Sequence, residues 1–207
     1  MPFSPPVDIR TLHIANGPDI QVYYPQVQSL KNPRLERFMN QQIVAQTQKL
    51  IDLQVGTPPT TPIVEMLGTF EIKNNQRDVL SLSFSNYAYH NMAAHGMTYI
   101  KSLTYDLQKG TIVQLKDLFK PGSDYVSRIS VLIQKQIEQR QISLLEPFST
   151  IKPDQDFYIA DKSLVIYFQL YDLTPYVFGF PMFPISVYDL QDIIDENGPL
   201  GRLAENN

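Results

Sequence analysis

The chain has 207 residues, 43% of them apolar and 18% charged, which is enough apolar surface for a core and too little charge for an intrinsically disordered segment. It has no cysteine, which excludes structural disulfides, thiolate zinc sites, iron–sulfur clusters and cysteine nucleophiles. Seventeen basic against 21 acidic residues give a net charge of -4, far from the basic field that neutralises phosphates, so nucleic acid is not an expected partner.

Residues 1–6, with three prolines, read as a tail. Residues 7–14 and 20–24 are β-branched and aromatic runs around Ala15-Asn16-Gly17-Pro18-Asp19, which predicts a hairpin. Asn32 and Pro33 supply an N-cap and a first helical residue, and Leu35, Phe38, Met39, Ile43, Leu50 and Ile51 then recur at near-helical spacing, predicting a helix over 33–53. Gly56, Pro58, Pro59 and Pro62 break the pattern at the one plausible internal boundary.

Residues 64–73, 79–89 and 98–107 alternate as three successive strands, with Asn74-Asn75 at the first turn and Gln108-Lys109-Gly110 leading to a fourth at 111–115. In the middle strand Leu80, Leu82 and Phe84 alternate with Ser81, Ser83 and Ser85, the pattern of an antiparallel sheet with one wet face. Ser123 and Asp124 can cap a second helix whose stripe Val126, Ile129, Ile133 and Ile137 runs to about Arg140 and would cover the dry side. Residues 157–159 and 164–171 form another hairpin around 160–163. Ser186 and Asp189 resemble a capping box for a last helix that Asn197-Gly198-Pro199 stops, leaving 201–207 as a tail. The order predicts an α+β fold, an antiparallel sheet covered on one face by two main helices. One unit over 7–200 is expected, built from segments 7–55 and 63–198.

The longest uncharged run, 173–188, is too short to span a bilayer and carries Pro175, Gly179, Pro181 and Pro184. No basic n-region or apolar h-region opens the sequence, so as written it is expected in the cytoplasm unless a leader precedes it. There is no G-x-S-x-G, G-x-G-x-x-G, Walker or H-E-x-x-H motif. His90 and His95 are five apart, a spacing that suits neither a helix face nor a strand face. They read as a polar loop pair, the alternative being a metal site with Glu65 or Glu71, as in a cryptic hydrolase or metalloenzyme. Asp154-Gln155-Asp156 lacks the glycine and distal glutamate of a calcium loop and reads as a solvated turn, while Asp172 and Asp189 are explained by capping and surface solvation before a glycosidase pair. No catalytic residue, metal or cofactor is expected.

Tyr87 and Tyr89 continue the serine face and put rigid amphipathic rings there, either packed under a loop or offered to a ligand. Pro175, Tyr176, Phe178, Phe180 and Phe183 make a proline-stiffened apolar loop that is either a core lid or a protein-binding edge.

Ala94-His95-Gly96, Tyr105-Asp106-Leu107 with Gly110, Leu115-Lys116-Asp117-Leu118-Phe119, Phe157-Tyr158-Ile159, residues 164–168, and Tyr171-Asp172-Leu173-Thr174-Pro175-Tyr176 with Gly179 follow one another in an order that resembles the RsiV-like domain family over about 65–194. The preceding hairpin and long helix, 7–55, resemble the PdaC-type segment that precedes this domain. The family includes the extracytoplasmic part of an anti-sigma factor that senses lysozyme by binding it, and a region beside the catalytic domain of a peptidoglycan deacetylase. The resemblance therefore implies a recognition module of the cell envelope, not an enzyme, with lysozyme or another protein as partner. Tyr87, Tyr89, His90, His95, Pro175, Tyr176 and Phe178 are the candidate contacts. The alternative is a module for peptidoglycan or another cell-wall glycan, with Tyr87, Tyr89 and Tyr99 as sugar platforms.

Overall fold

Asn32 turns the chain into its first helix by accepting hydrogen bonds from the Arg34 and Leu35 N–H groups (3.1 and 3.2 Å), while Pro33 occupies a position whose N–H would have no helical partner. In the computed structural model, which describes residues 6–56 and 61–205, this helix is α1, Pro33–Val55. Residues 1–5 of the expected tail, 57–60 of the expected proline-rich break, and 206–207 lie outside the described residues. The expected first hairpin is present as β1, Asp8–Asn16, and β2, Ile20–Gln28, paired antiparallel through nine residues each.

The strands after α1 are β3, Ile63–Gln76, β4, Val79–His90, β5, Met97–Asp106, and the short β6, Thr111–Ile112. They complete a six-stranded sheet in the order β1-β2-β3-β4-β5-β6, antiparallel at β1/β2 and β5/β6 and parallel at β2/β3. A 3-10 helix, Leu115–Leu118, replaces most of the strand expected at 111–115. Helix α2, Tyr125–Gln139, follows, capped by the Asp124 carboxylate on the Ser127 N–H. Then come β7, Phe157–Ala160, β8, Ser163–Tyr167, and β9, Met182–Ser186, as a second antiparallel sheet. The fold is α+β, its strands divided between two sheets.

Several local expectations are corrected. The β3–β4 turn is Arg77–Asp78, both at positive φ (51° and 57°), the geometry of a tight two-residue hairpin turn. Asn74 is buried inside β3 instead, its amide donating to the Val79 carbonyl at 2.7 Å. Strand β9 was hidden by Pro184. It lies at the edge of its sheet, where Pro184 is tolerated, and side chains of α2 and its C-cap satisfy its outward carbonyls: Gln136 donates to Pro184 (2.8 Å) and Arg140 to Met182 (2.9 Å). The helix expected after Ser186 is only a 3-10 turn, Val187–Leu190, and the true last helix, α3, is Pro199–Ala204, starting where the sequence suggested a stop. Leu200 and Leu203 of α3 are buried, so residues 201–204 are core and not tail.

Contacts divide the chain into two units, Met1–Ile72 with Leu82–Leu103, and Lys73–Ser81 with Thr104–Asn207. The border crosses β3, β4 and β5 within the strands and does not follow the proline-rich break. In the first unit α1 packs on β2, and Val22, Met66 and Ala88 form a small core with Ile20, Ile51 and Ile63. In the second, the expected stripe Ile129, Ile133 and Ile137 shares one large core with Ile159, Leu164, Ile166, Phe183 and Ile185, and α2 lies against β9.

The serine face of β4 is not wet. Within the second unit the Ser81 hydroxyl is fully buried, accepting from the Ile159 N–H at 3.0 Å and bonding to the Thr104 hydroxyl at 2.8 Å. In the first unit Ser83 is buried and Ser85 bonds to Thr69 at 2.8 Å. At Ser81 a small hydroxyl fits because the β7 backbone approaches closely and its Ile159 N–H needs an acceptor.

The second unit is closed by Arg202. Its guanidinium donates to both Asp106 oxygens (2.8 and 3.4 Å) and to the carbonyls of Arg77, Asn197 and Asp78 (3.2, 3.0 and 3.5 Å), one acceptor for each of its five N–H groups. The Asp106 side chain is 1% exposed and also accepts from the Gln108 and Lys109 N–H groups. Removing the cation would leave a buried carboxylate without its counter-charge. Arg202→Met is therefore expected to cost about 3–5 kcal/mol in urea unfolding, with Arg202→Lys restoring less than half; a loss below about 1 kcal/mol for Arg202→Met would refute this role.

Candidate functional site

In the first unit, the loop joining β4 to β5 holds four of the seven candidate residues at or near its ends. Asn91 donates its N–H to the Pro62 carbonyl at 2.9 Å, and Ala93 donates to the His90 carbonyl at 3.0 Å. His90 Nδ1 lies 3.1 Å from the Thr61 carbonyl and 3.1 Å from its hydroxyl; His95 Nδ1 lies 2.9 Å from the Gly96 carbonyl. A carbonyl oxygen only accepts, so a ring that bonds one through Nδ1 donates from that nitrogen to backbone. The Tyr89 hydroxyl donates to the Ala93 carbonyl at 2.9 Å. Tyr87 closes over Gly96 so tightly that a Cβ there would lie 2.1 Å from the ring. From α1, the buried Gln54 amide donates to the Asn86 and Met97 carbonyls (2.6 and 3.0 Å) and braces both ends of the loop. The rings and imidazoles thus shape the loop, while its exposed apolar group is Met92, 93% accessible and at φ 63°.

In the second unit, the connection from β8 to β9 carries the other three. The Phe168 N–H reaches the Pro181 carbonyl at 3.1 Å and closes the base of the loop. Leu170, Leu173 and Thr174 are buried and root it, and the Leu173 carbonyl accepts from the Leu145 N–H. Above them Tyr176–Phe178 form one 3-10 turn that starts after Pro175, held by Phe178 N–H to Pro175 carbonyl (2.9 Å) and Gly179 N–H to Tyr176 carbonyl (3.0 Å). Val177 is 93% exposed, Phe178 41% and Tyr171 47%, and the Tyr171 and Tyr176 rings meet at 5.6 Å. The loop is neither purely lid nor purely edge: its root is core and its tip is an exposed apolar cap on fixed backbone. Phe183, read with the loop, is instead a fully buried residue of β9.

A cleft of about 690 Å³ also lies in the second unit, lined by Asp106, Lys109, Lys116, Asp117, Phe119 and Tyr125 among others. Its ionisable groups are largely committed. Asp106 is held by Arg202, Lys109 lies 3.6 Å from Asp195, Lys120 lies 3.2 Å from Glu196, and the Asp117 carboxylate accepts from the Gln114 N–H. The Phe119 and Tyr125 rings stack on each other at 4.9 Å. Partial burial and the charges of Asp154 and Asp117 push the Tyr125 phenol above its usual range, away from proton transfer near neutrality. Among the described residues no group of three or more His, Cys, Asp or Glu side chains is placed to hold a metal ion. Asp172 caps the Gln169 N–H of its own turn at 3.3 Å, Asp189 sits in a 3-10 turn, and Gln155, expected in a solvated turn, is buried with its amide on the Tyr167 carbonyl at 2.8 Å.

Residues 116–188, which include the second loop, match the family described as protein of unknown function (DUF3298). The chain is 29% identical over 189 residues to the anti-sigma-V factor RsiV of Bacillus subtilis (strain 168), covering 84% of this chain and 65% of that one. The chain carries an RsiV- and PdaC-like domain. Identity to the peptidoglycan-N-acetylmuramic acid deacetylase PdaC of the same organism is 26% over 183 residues, covering 84% of this chain and 38% of the relative. The domain thus spans less than two thirds of the length of either curated relative. Its fold is that of a DUF3298 family member from Bacteroides fragilis (TM-score 0.72, 12% identity, 98% of this chain and 99% of that one) and of a DUF3298 family protein from Pseudomonas aeruginosa (0.68, 14%, 99% and 99%). No helix of the described residues is long and apolar enough to cross a membrane.

Residue-type reasoning missed Gln54, whose polar head within an apolar helical stripe was the available signal. The tight Tyr87–Gly96 contact is directly testable. Gly96→Ala is expected to cost about 1–3 kcal/mol in urea unfolding, and Tyr87→Ala in the same chain to recover part of it through a coupling of at least about 0.5 kcal/mol. Full additivity would mean that the two residues do not form a unit.

Proposed function

We propose that the domain is a non-catalytic recognition module that binds a protein through the tip of the β8–β9 loop, with lysozyme the first partner to consider. One observation carries this reading: an apolar tip, Val177 and Phe178 beside Tyr171 and Tyr176, stands exposed on a loop closed at its base and rooted in the core. Exposed aromatic and aliphatic groups on fixed backbone bind with little further ordering cost, which is how hot spots arise. RsiV is named as an anti-sigma factor, and the family this chain resembles includes the extracytoplasmic part of an anti-sigma factor that senses lysozyme by binding it, which supports a sensing module acting outside the cytoplasm. The chain's charge of -4 would favour encounter with a basic protein only modestly.

The glycan alternative has less support, because Tyr87 and Tyr89 are engaged with the β4–β5 loop itself. Enzymatic activity is not part of the proposal, the deacetylase relative being much longer than the region it shares with this chain.

Titration calorimetry with hen-type lysozyme is expected to show binding, and Phe178→Ala with Val177→Ala to weaken it at least tenfold, about 1.4 kcal/mol, without lowering the unfolding midpoint. No heat and no inhibition of muramidase activity at about 100 μM would discard lysozyme as partner. Retention on purified sacculi without lysozyme would instead support the glycan alternative.

A further inference from the structure

We infer that β1 is an interaction edge at which the first unit pairs with a second copy of this chain, strand against antiparallel strand. β1 stands at the end of the six-stranded sheet. On its inner side all nine residues pair with β2 without a bulge. On its outer side, among the described residues, no N–H or carbonyl group of 8–16 bonds to another element. Seven of the nine residues are exposed, so nothing covers this row of open donors and acceptors, which is a template for another extended strand.

Other edges of the two sheets are guarded. Gln136 and Arg140 take carbonyls of β9, Ser81 takes the Ile159 N–H of β7, and β6 is only two residues long. β2 is joined to β3 only over Ile20–Val22, and further along Asn40 of α1 holds both backbone groups of Val27. β1 has none of these devices. It contains no proline and no lysine, and its two charges, Asp8 and Arg10, lie at its first end, leaving 11–16 uncharged. The His13 ring is folded inward, stacked on Tyr23 at 4.4 Å and bonded to the Gln21 amide oxygen, so it does not overhang the edge.

The strand is also complementary to itself. Alternation puts Leu12 and Ile14 on one face, opposite Tyr24 and Val22 of β2. Val22 is core, whereas Ile14 beside it is 43% exposed, so the apolar floor of the first unit runs on to the edge without cover. Antiparallel pairing about a two-fold axis at residue 13 would set Leu12 of each copy against Ile14 of the other and cover both. It would also set Arg10 against Asn16 and Thr11 against Ala15, so that no like charges meet. Moving the axis to Leu12 would oppose Arg10 to Ile14 and lose the match. A foreign strand must bring its own aliphatic pair at the right spacing, whereas a second copy supplies it by symmetry.

Sedimentation and amide exchange of the full chain at about 5 and 200 μM test this. The average mass is expected to rise towards twice that of the chain over this range, where small interfaces register. Every second amide of 10–16 should exchange at least tenfold more slowly at the higher concentration, because alternate N–H groups point outward. Ile14→Lys and, separately, Thr11→Lys put a cation on the edge and should raise the dissociation constant at least tenfold. Their unfolding midpoints at about 5 μM should stay within about 2 °C of the parent, and if one variant loses its fold the other decides. A chain that stays monomeric at about 200 μM, a dimer whose 10–16 amides exchange as in the monomer, or a dimer that both lysine variants leave intact would each overturn the inference. A monomeric chain whose same amides are protected by an added peptide rich in valine and threonine would overturn it too, and would make the edge a receptor for foreign strands.

Discussion

The Arg202–Asp106 pair is the interaction on which the second unit depends. A carboxylate taken out of water at the end of β5 is tolerable only with a counter-charge, and the guanidinium that supplies it also donates to the main-chain carbonyls of Arg77 and Asn197 and shares that of Asp78 with the Leu107 N–H. One side chain from α3 therefore fixes the β3–β4 turn, the end of β5 and the segment before α3 at once. Arg77 returns the arrangement by donating to the Arg202 carbonyl at 2.8 Å, so the two arginines clasp each other's backbone. Lysine could not do this, because a point charge with three donors cannot address five acceptors in a plane.

The same logic recurs wherever polar residues occur inside. Asn40 places its amide across Val27, accepting from the N–H at 2.8 Å and donating to the carbonyl at 2.9 Å, which joins α1 to the end of β2. Ser81, Gln54 and Gln155 each bond a backbone group of another element or segment. These residues set register and spacing more than they add stability, since a net hydrogen bond is worth only about 1 kcal/mol. They also explain where reading the sequence succeeded and failed. Periodicity and caps located α1, α2 and the hairpins, because burial of one face and the unmet N–H groups of a helix end are local facts. The serines of β4 misled for the opposite reason: alternation cannot distinguish a hydroxyl facing water from one facing another backbone. β9 was hidden because Pro184 argues against a strand until a helix is found covering that edge. The Arg77–Asp78 turn was missed because arginine is not a usual occupant of a left-handed position and no glycine follows to mark the turn.

The candidate site was legible in type and not in arrangement. Proline and aromatic residues marked 175–183 as special, yet only the three-dimensional chain separates the buried Phe183 from the exposed Phe178 and sets Val177 at the summit. For the histidines the reverse held. Their spacing gave no geometry for a metal, and the structure turns Nδ1 of each ring to backbone. Every polar group so engaged makes the β4–β5 loop stiffer and leaves less of it to offer a ligand. The β8–β9 loop divides its labour differently, with closing backbone hydrogen bonds and buried side chains at the root and apolar surface at the crest.

The position of the arginine clasp also has a consequence for biosynthesis. Everything the first unit needs has been made once residue 103 is in place, whereas the second waits for residue 202. At the usual translation speed of about 5–20 residues per second, that interval lasts about 5–20 s. Throughout it the far ends of β3, β4 and β5 emerge with a carboxylate that has no cation to receive it. A nascent polypeptide would therefore mature in two instalments, and any factor that shelters half-made chains would be needed most for the span between them.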